Sequence, residues 1–298
     1  MKIENSTIYY NGNVKLKKAG VRQVISVFEQ QEYVKCKFDV IYFIKKYVQI
    51  ISLDEGVVPF HLFPYQEKMI KHMEDNRFSI FMTSRQMGKT TVAAGYILHE
   101  LIFNKSFTVA ILANKGAQAR EIMERVQMMY EELPFFLQPG VKSWNKGSIS
   151  LGNKSRAFTA ATSSSSVRGK SINLLYMDEF AHIENDTEFY QSTYPVIMSG
   201  KTTKVIITST PNGMNLFYKI WTEAKDGRSQ YKALQIYWNE HPNRDEAWLR
   251  EQESNMPPKQ IAQEIHCVVG DTPVTVRCVV SGAVFDTTML ELYEKQYE

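Results

Sequence analysis

From residue 77 onward, short apolar runs alternate with longer amphipathic stretches. RFSIFMTS (77–84), FTVAILAN (107–114), INLLYMDEF (172–180), TKVIITST (203–210) and YKALQIYW (231–238) are bounded and largely apolar, which predicts buried strands. KTTVAAGYILHELIF (89–103), AQAREIMERVQMMYEEL (117–133), DTEFYQSTYPVIM (186–198) and MNLFYKIWTEAKDG (214–227) carry apolar residues at helical spacing, the last stopping at Gly227. SISLGNKSRAFTAAT (148–162) predicts a hairpin with Gly152 and Asn153 at its turn. Buried strands alternating with amphipathic helices predict a parallel α/β sheet.

The flanks differ. Residues 1–20 are polar and predict a loose segment. FDVIYFIKKYVQI (38–50) has helical spacing with Lys45 and Lys46 on another face, and PYQEKMIKHMEDN (64–76) predicts a helix opening at a proline. After Pro257-Pro258, IAQEIH (261–266) predicts a final helix. Beyond it the composition turns β-rich, with a turn at Ser281-Gly282 and helical character in TTMLELYEKQ (287–296). The division expected is a helical lead-in over 1–60, the α/β unit over 61–266 and a small β-rich piece over 267–298.

Composition narrows the classes. With 44% hydrophobic and 22% charged residues in 298, the chain can bury a core and is not wholly disordered. No run reaches the ~18 apolar residues of a membrane helix, and the start lacks a signal-peptide core, so no membrane role is expected. Three cysteines make no disulfide scaffold, which points to a reducing cytoplasm. A net charge of +3 permits a nucleic-acid partner without requiring one.

The strongest local motif is Ser84-Arg85-Gln86-Met87-Gly88-Lys89-Thr90-Thr91, between a predicted strand and a predicted helix. A phosphate-binding loop needs that context: a tight turn aims backbone N–H groups at phosphates from the positive end of a helix. Lys89 would reach the terminal phosphates of ATP, Thr90 would ligand Mg²⁺, and Gly88 would allow close backbone approach. Thr83 replaces the glycine that usually opens the motif, and alone the match does not separate a phosphate loop from an ordinary helix start. The second element decides between them. Asp178 and Glu179 end an apolar strand, where Asp178 would hold Mg²⁺ and Glu179 would orient and deprotonate the attacking water. The added strand 107–114 fits the ATPase class with a catalytic glutamate.

Four further features have a functional and a structural reading. Arg85 would stabilise the transition state as an arginine supplied in cis, or form a surface ion pair. Tyr65-Gln66 would stack on and hydrogen-bond adenine, or simply start a helix. Thr208-Ser209-Thr210 would sense the γ-phosphate, or lead into the Pro-Asn-Gly turn. Val167-Arg168-Gly169-Lys170-Ser171 would bind phosphate or DNA, or be a basic turn.

Together these residues resemble one family, the ATPase half of the large terminase of tailed phages, nearest the myovirus type, over about residues 33–266. Cys36-Lys37-Phe38-Asp39, Tyr65-Gln66, SRQMGKTT, SSVRGKS, LLYMDEFAHI and TSTPNGMNLFYKIW occur in the family's order. The resemblance implies a RecA-like P-loop ATPase fold of the catalytic-glutamate class. It implies Tyr65-Gln66 as the adenine motif, Lys89, Thr90, Asp178 and Glu179 as the hydrolytic core, Thr208 to Thr210 as the coupling motif, and Arg85 as the cis arginine. Its implied partners are double-stranded DNA, a portal protein, a small terminase and copies of itself in a ring. The setting is the cytoplasm of an infected bacterium and, transiently, the procapsid. The family's nuclease half is expected to be absent from this chain.

Residues from Cys267 resemble the first block of an intein: Cys-x-x-Gly-Asp-Thr followed by alternating valines. That likeness implies the N-terminal fragment of a split intein. Cys267 would take the His266 acyl group, and a complementary chain carrying the nuclease half would supply the rest. The other reading of 267–298 is a native β element or a truncated frame; Cys278 has no assigned role. A superfamily-two helicase shares the nucleotide motifs but needs a second RecA-like domain, and a small-molecule kinase would lack the paired acids. An inactive precursor that only binds its complement also stays open.

Overall fold

The structure is a computed structural model describing residues 8–163, 166–268, 272–278, 282–289 and 291. Its centre is an eight-stranded sheet. The strands are β5 (Phe78–Thr83), β6 (Thr108–Ala113), β7 (Val141–Asn145), β8 (Ser148–Leu151), β9 (Arg156–Ala161), β10 (Leu174–Asp178), β11 (Lys204–Ser209) and β12 (Lys232–Ile236). Their order is β12-β5-β11-β10-β6-β9-β8-β7. The first six run parallel, and β8 and β7 add an antiparallel edge. Every residue of β5, β6 and β10 is buried, which is why these strands read as unbroken apolar runs.

Alternate side chains divide the core into two layers. Phe81, Val109, Leu174 and Tyr176 face one cluster with α3 (Pro64–Asp75), α4 (Lys89–Phe103) and α5 (Gly116–Glu131). Ile80, Met82, Leu175 and Met177 face the other, with α6 (Asp186–Met198) and α7 (Leu216–Lys225). The α/β reading holds, and α4 and α6 span the predicted residues.

The lead-in differs from expectation. Residues 8–20 are not loose: β1 (Tyr9–Tyr10) and β2 (Asn13–Lys17) pair as a hairpin, and Leu16 is buried in the main core. Lys17 N donates to Gln138 Oε1 at 2.9 Å and Ala19 N to Val141 O at 2.9 Å, fastening the segment to the sheet edge. Asp39 divides the following helical region. Its carboxylate accepts from Tyr42 N at 2.8 Å, so it ends α1 (Val27–Phe38) and caps α2 (Val40–Tyr47). The stretch predicted as one helix to 50 then becomes β3 (Gln49–Ser52), paired with β4 (Gly56–Pro59). The lead-in therefore shares the core of the α/β unit.

At the other end, α8 (Glu246–Asn255) precedes a wide π-helical turn, Ile261–Ile265, where an ordinary helix was predicted. β13 (Pro273–Arg277) and β14 (Val284–Thr288) pair only with each other among the described residues. Ser281 and most of the helical stretch expected near the C-terminus lie outside the described residues. No described helix is long and apolar enough to cross a membrane.

Candidate active site

β5 ends at Thr83, residues 84–88 turn, and α4 starts at Lys89. The turn requires Gly88. Its φ is +72°, and a Cβ there would lie 2.7 Å from Gln66 Nε2. Gln66 braces the loop: its Nε2 donates to Met87 O at 3.3 Å while its Oε1 accepts from Phe63 N at 3.0 Å. On the outer side, Arg244 donates to Arg85 O at 3.1 Å and Gln86 O at 3.2 Å, its guanidinium lying 4.4 Å over the Trp248 ring. The C-terminal segment closes the underside. Ser84 Oγ donates to Ile265 O at 2.5 Å and Arg85 N to Glu264 O at 2.7 Å. With those outward groups occupied, the amides of Gln86, Met87 and Gly88 have no partner among the described residues. They stand free at a helix N-terminus, which is an anion-binding arrangement.

The acids approach from β10, with β11 between it and β5. Lys89 Nζ is 2.6 Å from Glu179 Oε1, and Thr90 Oγ1 donates to Asp178 Oδ2 at 3.1 Å. Thr208 Oγ1 donates to Asp178 Oδ1 at 2.7 Å, and Tyr176 OH lies 3.0 Å from that hydroxyl. The second oxygen of Glu179 accepts from Ser209 Oγ and Thr210 N, each at 3.4 Å. Glu179 has φ +50°, a left-handed conformation costly for a side chain with a Cβ and found most often where function fixes geometry.

Burial governs the protonation of this cluster. It pushes the Asp178 carboxyl above the ordinary aspartate value, and Lys89 only partly offsets it. Burial, the largest single influence, raises Glu179 as well, but the charge and hydrogen bond of Lys89, with His182 and the Thr210 amide, together hold it below the usual value. Lys89 in turn is lowered by burial and raised further by the two carboxylates, and ends above the ordinary lysine value. A hydroxyl and a buried carboxylate with unmet charge form a hard oxygen donor pair, so Thr90 and Asp178 suit Mg²⁺.

Four expected residues stand outside this cluster. Tyr65 is only 3% exposed; its ring stacks on Phe63 at 5.7 Å and meets His241 at 6.2 Å, so its faces are already covered. Its hydroxyl has no partner among the described residues, and burial pushes it up to about 12. Arg85 faces Glu264 at 3.9 Å rather than pairing with either strand-end acid. Cys267 is not poised as a nucleophile. It packs in the second core cluster, 3.8 Å from Ser84 Oγ, and burial pushes its thiol up to about 12. Thr91 is half-buried on the first turn of α4, away from the acids.

The pattern reading missed two residues. Arg244 carries no local motif and acts across 158 or more positions. His182 has a visible signal, lying three residues after Glu179: its Nε2 is 3.2 Å from Thr210 Oγ1 and 3.8 Å from Glu179 Oε2.

Residues 80–292 match the family described as terminase large subunit, T4likevirus-type, N-terminal. The chain belongs to that family. The matched stretch runs through Cys267. Among solved structures, this terminase chain is similar to the ATPase domain of the Thermus phage P74-26 large terminase, at 19% identity and a TM-score of 0.58, covering 70% of this chain and 93% of that one. The HK97 bacteriophage large terminase matches at 18% identity and a TM-score of 0.65, with 81% of this chain covered but 56% of that one. A large terminase from a thermophilic bacteriophage, solved in complex with ADP, matches at 13% identity and a TM-score of 0.57, over 70% of this chain and 53% of that one. The terminase chain thus spans about half the length of the last two, and the fold it shares with them is RecA-like.

Proposed function

We propose that this chain is the ATP-hydrolysing motor portion of a phage large terminase, driving double-stranded DNA into a procapsid. The observation that carries the reading is the meeting of Lys89, Thr90, Asp178 and Glu179 at one loop, beside three free backbone amides. Those amides and Lys89 would take the phosphate oxygens of ATP. Lys89 would then exchange Glu179 for phosphate, freeing that carboxylate to accept a proton from water. Mg²⁺ held by Thr90 and Asp178 would neutralise developing phosphate charge. Thr210, whose amide touches Glu179, would register loss of the γ-phosphate through the same carboxylate. Arg85 would act in cis by leaving Glu264, an exchange that its 56% side-chain exposure permits. Gln66 would serve the nucleotide by holding the loop.

The motor would work as a ring of copies docked on a portal and fed by a small terminase, in the host cytoplasm and on the procapsid. Replacing Glu179→Gln should preserve ATP binding and reduce turnover by at least ~100-fold. Unchanged turnover would remove Glu179 from the mechanism.

A second activity is supported by the self-paired β13–β14 hairpin that follows Cys267. In this reading residues 267–298 are the first part of a split intein, and a second chain completes it and brings the nuclease half. Cys267 Sγ would attack the His266 carbonyl carbon. The His266–Cys267 amide C–N bond would break, a thioester would form, and the thiol proton would end on the freed amine. Burial raises that thiol and disfavours its reactive thiolate, so in this reading the complementary chain would have to expose it. Mixing the chain with a lysate of its source should give, by mass, a product joined at His266 and lacking 267–298. Joined product from Cys267→Ala would refute the splicing reading.

A further inference from the structure

Charge is distributed unevenly along this chain. Between Glu132 and Asp178 the sequence has no acidic residue and six basic ones: Lys142, Lys146, Lys154, Arg156, Arg168 and Lys170. Without those six, the remaining 29 basic residues would be outnumbered by 32 acids, so this segment alone gives the chain its positive balance. The segment builds the antiparallel edge β7–β8–β9 and the loop returning to β10.

That edge is closed on one face and only partly covered on the other, where Phe158 packs against the second core cluster. Trp144, Ile149, Leu151 and Ala157 pack toward α5 in the first core cluster. Alternation sends Ser148, Ser150, Arg156 and Phe158 to the opposite face. They line a shallow cavity of about 400 Å³ together with Ser143 and Lys170. Lys170 holds its ammonium 3.8 Å over the Phe158 ring, and Arg156 Nε donates to Thr108 Oγ1 at 3.2 Å. Both cations are thereby oriented by uncharged partners. Neither they nor Arg168 has an acidic partner among the described residues. The face therefore presents two fixed cations and three serine hydroxyls, a donor set that suits repeated phosphates.

We propose that this open face, Arg156 and Lys170 with the exposed Arg168 in the adjoining loop, contacts the phosphate backbone of duplex DNA. The proposal rests on the packaging-motor reading. Serine hydroxyls and cations in an open cavity recognise a backbone without reading bases, which is what a motor moving arbitrary sequence needs. The loop from β9 leads directly into β10, the strand that carries Asp178. A contact there is therefore connected by a short stretch of chain to the acids that face the nucleotide.

The test is anisotropy of a labelled 30-base-pair duplex of arbitrary sequence, titrated with the full chain over a range of salt. Arg156→Glu with Lys170→Glu should weaken binding about tenfold or more at low salt, and flatten the salt dependence by about two phosphate contacts. Lys37→Glu with Lys46→Glu, on the exposed lead-in helices, changes net charge equally and should stay within about twofold of the unaltered chain. ATP binding should be the same in all three. The neutral pair Arg156→Gln with Lys170→Gln, checked by thermal melting, should show the loss without introduced repulsion. Equal weakening by both charge-reversed pairs would overturn the surface while leaving the motor reading intact. So would preferential binding of polyglutamate, which would assign the face to an acidic protein. No duplex binding by the unaltered chain, with ATP binding retained, would count against DNA as the motor's cargo.

Discussion

At the scale of single residues, each group of the cluster is held by a partner that an arriving nucleotide could displace. Lys89 and Glu179 neutralise each other until phosphate arrives, and Asp178 is solvated by two threonine hydroxyls. Burial of Asp178 carries a stability consequence. At acid pH its carboxyl is protonated in folded and unfolded chains alike. As pH rises past the ordinary aspartate value the unfolded chain ionises first, and the buried group resists until its raised value is reached, so stability falls across that interval. Asp178→Asn should therefore raise the melting temperature at neutral pH without nucleotide or Mg²⁺, while abolishing turnover; a lower melting temperature would show that the carboxylate is not strained. Gly88→Ala places a left-handed Cβ against Gln66 and should cost about 1–2 kcal/mol in chemical denaturation from backbone strain alone. Adding Gln66→Ala removes the collision and should recover only the part above that figure. The motif residues Lys89, Thr90, Asp178 and Glu179 were legible because their chemistry is local to a strand end or a helix start. The surroundings of Tyr65 were not legible, because an aromatic beside a glutamine looks the same whether its ring is open or packed between Phe63 and His241.

At the scale of elements, the phosphate loop is shaped as much by distant segments as by its own sequence. Glu264 and Ile265 cap Arg85 and Ser84, and Arg244 ties two carbonyls. A chain ended after 268 should keep nucleotide affinity, since among the described residues the β13 and β14 strands pair only with each other. One ended after 260 should lose about tenfold or more, because the buried Ser84 hydroxyl and the Arg85 amide lose the carbonyls that hold them. Equal affinity of the two, by fluorescent-nucleotide titration, would show that the loop supports itself. Long periodic elements such as α4 and α6 could be read from the sequence because fifteen and thirteen residues sample several helical turns. β1 and β2, of two and five residues, could not: their order comes from bonds to Gln138 and Val141, more than a hundred positions away. Asp39 hid a boundary because a cap changes one residue and leaves the apolar spacing on both sides intact.

At the scale of the whole molecule, strand order creates the site. Placing β11 between β5 and β10 puts Thr208 beside Asp178 and carries Thr210 to Glu179, so the loop, the acids and the 208–210 segment meet at one sheet end. Periodicity announces parallel strands but not their order, so this convergence had to be inferred from the motifs and was seen only in the fold. The same order leaves the basic edge β7–β8–β9 at the far side of the sheet, apart from the nucleotide. The central claim is that one triphosphate pocket joins Lys89 to the paired acids. Its most direct test is a crystal structure of this chain with Mg²⁺ and a non-hydrolysable ATP analogue. We expect the Lys89 ammonium on phosphate oxygens, Mg²⁺ beside Thr90 and Asp178, and Glu179 released toward the γ-phosphate. A nucleotide bound elsewhere, or Lys89 still paired with Glu179 in the filled site, would contradict it.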